Sequence, residues 1–189
     1  QARPAPEETT QGERELMQPN FPSSRILLPV RPWFIYLSLI VALLLNFLPT
    51  AHWPGMPDWV ALVLCFWSVR EFRRIGMGWA FILGLLMDVA DGSVLGQHSL
   101  AYVLLTFAAS SLSRRLLWFP LIEQALQVLP LLLMTQVIQT LMRLAVGGDF
   151  PGWAYFIGPL VAGLLWIPLT FVLLLPQYQP AEPNPDRPI

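Results

Sequence analysis

Six apolar segments alternate with short polar connections along the chain. A helix that crosses the hydrocarbon core of a bilayer needs roughly 20 apolar residues. The first, fifth and sixth segments reach that length when their flanking residues are included. The other three are shorter, and we interpret them as short tilted spans. The alternative is that one of these three is a re-entrant segment that does not cross the membrane. The segments lie at residues 32–48, 58–70, 75–90, 98–113, 117–146 and 153–175. The pattern predicts an all-α integral membrane protein, a compact bundle of six transmembrane helices, with five crossings as the alternative.

Polar sequence flanks the apolar region on both sides. Residues 1–24 are rich in Pro, Glu and Thr, a composition that predicts disorder. Met17 begins a stretch that resembles a natural start, so we interpret residues 1–16 as an upstream extension. The six-helix domain is expected at residues 25–178, followed by a disordered, Pro-rich tail at residues 179–189.

The composition supports a membrane location and argues against nucleic acid as a partner. Hydrophobic residues make up 55% of the chain and charged residues 12%, with a mean hydropathy of +0.56. Soluble domains carry about twice that charged fraction. The net charge of −1 gives no bulk attraction to nucleic acid.

Arginine placement predicts the orientation. One set of connections and flanks carries nearly all of the basic residues, and the connections at 49–57, 91–97 and 147–152 carry none. The positive-inside rule therefore predicts that both termini are cytoplasmic. The cytoplasmic set is Arg25, Arg31, Arg70, Arg73, Arg74, Arg114, Arg115 and Arg187, and Arg143 is the one basic residue near the opposite face.

The third segment, "GMGWAFILGLLMDVADGSVLG", has a small residue or an aspartate at every fourth position: Gly76, Ala80, Gly84, Asp88, Gly92 and Gly96. Residues four apart share a helix face, and small residues there let two helices approach closely. The last two glycines are expected past the helix end. Asp88 has two interpretations: it binds a partner group or ligand, or it lies near water and caps N–H groups of the following loop.

The fifth segment carries a second polar face. Gln136, Gln139 and Arg143 have the spacing i, i+3, i+7 and so lie on one side of a helix. They either form hydrogen bonds to a neighbouring helix or line a wet groove.

Neither a metal site nor a catalytic group is predicted. The two histidines, His52 and His98, lack the clustered Cys, His or acidic residues that a metal ion needs. Ser93 and His98 fall in one connection, and no activating third group is evident from the sequence. We expect neither a cofactor nor enzymatic activity.

Two stretches together resemble the MreD family of bacterial rod shape-determining proteins. They are "PDWVALVLCFW" with its following basic turn, and "GWAFILGLLMDVADGSVLGQHSLAY". The likeness covers about residues 25–178. The residues that carry it are Pro57, Trp59, Phe66, Trp67, Arg74, Gly84, Asp88, Gly92 and Gly96.

The resemblance implies a non-enzymatic scaffold of the cell-elongation complex in the bacterial inner membrane, needed for rod shape and lateral peptidoglycan synthesis. Implied partners are MreC, the peptidoglycan synthase complex of RodA and its penicillin-binding protein, MreB indirectly, and membrane lipids. The implied fold is similar to the substrate-binding subunits of vitamin transporters. The alternative hypothesis is therefore a small-molecule-binding transporter subunit, which should have a deep outer pocket with convergent polar groups. A scaffold should instead have a filled core and exposed small-residue helix faces.

Overall fold

The computed structural model describes residues 31–48 and 55–177. In these ranges the chain is helical, with six α-helices and no strand. The predicted polar segments at 1–24 and 179–189, and His52, lie outside the described residues.

The six α-helices follow the predicted apolar segments. A 3₁₀ turn, Trp153–Phe156, leads into the last helix, and another, Leu175–Gln177, follows it. The helices are α1 Pro32–Asn46, α2 Trp59–Arg70, α3 Met77–Ala90, α4 Gln97–Trp118, α5 Leu121–Ala145 and α6 Ile157–Leu174.

The prediction of which helices are long was wrong at two positions. Three helical stretches in the described part of the chain are long and apolar enough to cross a membrane: α4, α5 and Trp153–Gln177. Helix α1 has 15 residues and is not among them. Helix α4 has 22 residues because Arg114 and Arg115 continue the helix instead of forming a connection. Arginine is a good helix former, and the helix stops only at Trp118, two residues before Pro120.

Helix α2 is the centre of the bundle. Every residue from Val60 to Val69 is buried, and the helix contacts α1, α4, α5 and α6. A helix that is apolar on all sides must be covered on all sides. Its 12 residues span only about 18 Å, less than the hydrocarbon core of about 30 Å.

The remaining helices pack in chain order around this centre. Helix α3 packs on α4, α4 on α5, and α5 on α6. The opposite side of α3 exposes a stripe of large apolar side chains, which suits a lipid or helix environment. The stripe consists of Phe81, Ile82, Leu85, Leu86 and Val89.

Candidate functional site

Most of the buried polar side chains gather at one end of the bundle. Here α1, α3 and α5 end and α2, α4 and α6 begin; we name it the cavity end. The other end carries arginines of the connection after α2 and of the last turns of α2 and α4: Arg70, Arg73, Arg74, Arg114 and Arg115.

Asp88 links the end of α3 to the beginning of α4. Its carboxylate is fully buried and accepts hydrogen bonds from the backbone N–H groups of Gly96 and His98, each at 2.8 Å. His98 Nδ1 lies at 2.9 Å, and the hydroxyls of Ser93 and Ser99 donate at 3.1 and 3.2 Å. The carboxylate thus ties the connection and the first turn of α4 to α3.

This geometry matches the capping interpretation of Asp88 but corrects one part of it. We expected the residue to lie near water, whereas its relative exposure is 0%. The carboxylate is tolerated there because both oxygens accept several donors, the condition for burying a charge.

The sequence showed no third group beside Ser93 and His98, and in the structure Asp88 contacts both. The arrangement still differs from a Ser–His–Asp catalytic triad. In a triad the acid and the serine engage opposite ring nitrogens of the histidine. Here Asp88 and Ser93 both engage His98 Nδ1, at 2.9 and 3.4 Å, and Asp91 lies 3.7 Å from Nε2.

Gly84 lies against the backbone of α4. A Cβ atom placed on it would lie 2.4 Å from Ser99 Cα and 2.7 Å from the His98 carbonyl carbon, closer than any side chain permits. Ala80, one turn earlier, is also fully buried. At Gly84 the small face of α3 is thus occupied by α4 of the same chain.

The other small residues of the stripe have different roles. Gly76 precedes α3 as its N-cap, and an added Cβ would meet nothing within 4 Å. Gly92 and Gly96 have φ values of +60° and +100° in the connection between α3 and α4, a backbone conformation that glycine adopts without a steric penalty.

A second polar network, which no pattern in the sequence predicted, joins α1, α2 and α4. Asp58 Oδ1 accepts from the Ala61 N–H at 3.0 Å and from Asn46 Nδ2 at 2.9 Å, while Tyr102 donates to Oδ2 at 2.7 Å. Asn46 Oδ1 in turn accepts from the Trp59 N–H at 3.0 Å. An aspartate directly before an apolar run is a helix N-cap signal, but Asn46 and Tyr102 gave no local signal.

A cavity of about 1030 Å³ opens between the helix ends at the cavity end. The predicted polar face of α5 lines it, together with acidic and aromatic side chains from α2, the α3–α4 connection and the turn before α6. The polar lining includes Asp58, Asp91, Gln136, Gln139, Arg143 and Tyr155. The structure therefore brings the α5 face together with residues next to the Asp88 network.

The motif residues outside the stripe have structural positions. Trp67 is fully buried; its indole N–H donates to Ser38 Oγ at 2.8 Å, and Phe34 meets its ring edge-on. Pro57 is buried and lines the cavity, and Trp59 packs partly buried against the core. Arg74 lies 3.7 Å from Glu71 in the exposed turn after α2.

Comparison with known proteins gives the family. The family model for the rod shape-determining protein MreD matches residues 25–175. The chain belongs to the MreD family. The rod shape-determining protein MreD of Haemophilus influenzae is 30% identical over 152 residues, which cover 75% of this chain and 89% of that protein. No solved structure matches the chain.

Membership of the MreD family makes the chain a membrane component that determines rod shape. The family match spans the six described helices and both polar networks. The predicted similarity to vitamin-transporter subunits stays a prediction.

Proposed function

We propose that the chain is a non-catalytic scaffold of the cell-elongation complex in the inner, cytoplasmic membrane. The observation that carries this proposal is the small amount of chain between helices. Four connections are confined to residues 71–76, 91–96, 119–120 and 146–152. With so little chain, these four connections leave few residues for soluble partners, and partners are bound mainly through helix faces.

The proposed partners are MreC, RodA with its penicillin-binding protein, and MreB through these proteins, in contact with membrane lipids. Both termini are proposed to be cytoplasmic, because the arginines concentrate at the end opposite the cavity. The cavity end then faces the periplasm.

The outer face of α1 is the proposed contact surface for MreC. Two faces are candidates, the outer face of α1 and the small face of α3, and α4 already packs on the second of these at Gly84. Helix α1 packs on α2 and leaves Trp33, Ile40 and Leu44 exposed. These positions fall on one side of the helix.

A bulky substitution on this face tests the contact. Ile40→Trp should reduce the recovery of MreC in co-purification from membranes severalfold, because the larger ring prevents close approach of a helix. Leu164→Trp, at an exposed apolar position on α6, is the matched control. Equal recovery with both variants would show that α1 is not the contact surface.

Cell shape tests the role itself. Depletion of the protein in its rod-shaped host should make the cells round, and re-expression should restore rods. Cells that stay rod-shaped but require a supplied vitamin would instead support the transporter-subunit hypothesis. The polar cavity favours that second hypothesis, whereas the family favours the first.

A further inference from the structure

The wall that α5 contributes to the cavity has unused hydrogen-bonding capacity. Gln136 and Gln139 are 5% and 2% exposed. Tyr155 donates its hydroxyl hydrogen to Gln139 Oε1. Gln136 Oε1 and Gln139 Nε2, by contrast, meet no hydrogen-bond partner among the described residues. Buried polar atoms in native proteins nearly always have a partner.

One of these two atoms is a hydrogen-bond acceptor and the other a donor, so a complementary ligand group must offer both a donor and an acceptor. Gln136 Oε1 is an acceptor and Gln139 Nε2 is a donor. They lie three residues apart on α5, about 4.5 Å along the helix axis. A peptide amide offers the complement, an N–H for the first and a C=O for the second.

Arg143 supplies the third group of the site. It follows Gln139 by four residues on the same face of α5, and it lies at the exposed rim of the cavity. A guanidinium binds a carboxylate through paired hydrogen bonds. Asp58 and Asp91 also line the cavity, and their negative charge disfavours a multiply charged anion such as phosphate.

We propose that this cavity binds the free carboxyl-terminal end of a short peptide. The last amide pairs with Gln136 and Gln139, and the terminal carboxylate pairs with Arg143. A volume of about 1030 Å³ accommodates several residues, at the upper end of the usual range for ligand pockets.

A comparison of two peptide ligands tests the proposal on the protein without substitutions. Purified protein in lipid nanodiscs is titrated with N-acetylglycylglycine and with its carboxyl-terminal amide, and binding is measured by calorimetry. The free acid should bind at least about tenfold more tightly, because only the acid pairs with Arg143. Equal affinity, no binding of either, or displacement of the peptide by inorganic phosphate or glycerophosphoethanolamine would overturn the proposal.

Matched variants test the residues. Gln139→Leu and Arg143→Gln should each weaken binding of the acid about tenfold, and Arg143→Gln should leave the affinity for the amide unchanged. The controls are Gln127→Leu, on α5 away from the cavity, and Arg115→Gln, at the opposite end. Equal losses in variants and controls would refute the site.

Folding of each variant is checked by thermal unfolding, and the ligand series on the unaltered protein decides the question if a variant does not fold. Binding is measured on purified protein without partners. A failure to bind the peptide would therefore not contradict the scaffold proposal. Normal cell shape after depletion would contradict the scaffold proposal but not the peptide-binding result.

Discussion

At the scale of single residues, Asp88 explains why a carboxylate lies in an apolar helix. Two backbone N–H groups, an imidazole nitrogen and two hydroxyls converge on its oxygens. An ionised carboxylate accepts at about four lone-pair positions, whereas an amide replaces one acceptor by a donor. The surrounding donors therefore fit a carboxylate. In the isosteric asparagine, the amide N–H would point at one of these N–H or O–H donors.

We predict that Asp88→Asn lowers the free energy of unfolding by about 1–3 kcal/mol, the cost of leaving buried donors unpaired. Asp88→Leu should cost more, because it leaves all of the donors unpaired. Thermal unfolding in detergent measures both. Asp149→Asn, at an exposed position in the α5–α6 connection, is the control and should change stability by less than about 0.5 kcal/mol. Equal losses in the Asn and Leu variants would indicate that the negative charge itself is required.

The partners of Asp88 show which single-residue contacts could be predicted from the sequence and which could not. The four-residue spacing put Asp88 on the small face, and capping of the following loop was one of the two interpretations. The spacing gave no information about His98 and Ser99, because they approach only when α3 and α4 pack together. For the same reason the Asn46–Asp58–Tyr102 network, drawn from three helices, was missed.

At the scale of helices, the contact between α3 and α4 depends on the absence of one side chain. A Cβ at Gly84 would overlap the backbone of Ser99, which cannot move without displacing α4. Gly78 lies in the same helix, and a Cβ there would meet nothing within 4 Å. The two glycines therefore separate the effect of packing from that of helix propensity.

We predict opposite effects of alanine at these two positions. Gly78→Ala should be neutral or stabilise by about 0.5–1 kcal/mol, since alanine loses less conformational entropy in a helix. Gly84→Ala should destabilise by about 1–3 kcal/mol through overpacking, and Gly84→Leu more strongly. Thermal unfolding of the purified variants measures both effects, and stabilisation by Gly84→Ala would rule out the close α3–α4 contact.

Helix number followed from the hydropathy pattern, but helix length did not. The six apolar segments correspond to six α-helices in residues 31–48 and 55–177. The boundary of α4 was misplaced because charged residues were taken as the end of the helix, although arginines at a helix end extend their charge to the membrane surface. The short central helix α2 is possible because α1, α4, α5 and α6 surround it, which is a property of the packed bundle.

At the scale of the whole molecule, the two ends of the bundle have different chemistry. The described arginines other than Arg143 occupy one end, and the cavity with its acidic and amide side chains and Arg143 occupies the other. The positive-inside rule predicts an orientation with the cavity toward the periplasm. That orientation decides which partners and ligands have access to the cavity.

Cysteine labelling tests this orientation. The chain has one cysteine, the buried Cys65. Replacing it by alanine gives a protein without native thiols, into which single cysteines are introduced. A single cysteine at Asp149, in the connection at the cavity end, should react in intact spheroplasts with a maleimide that does not cross membranes. A single cysteine at Arg73 or Arg115, at the opposite end, should react only after permeabilisation. The reverse pattern would place the cavity in the cytoplasm, and a peptide ligand would then have to come from that compartment.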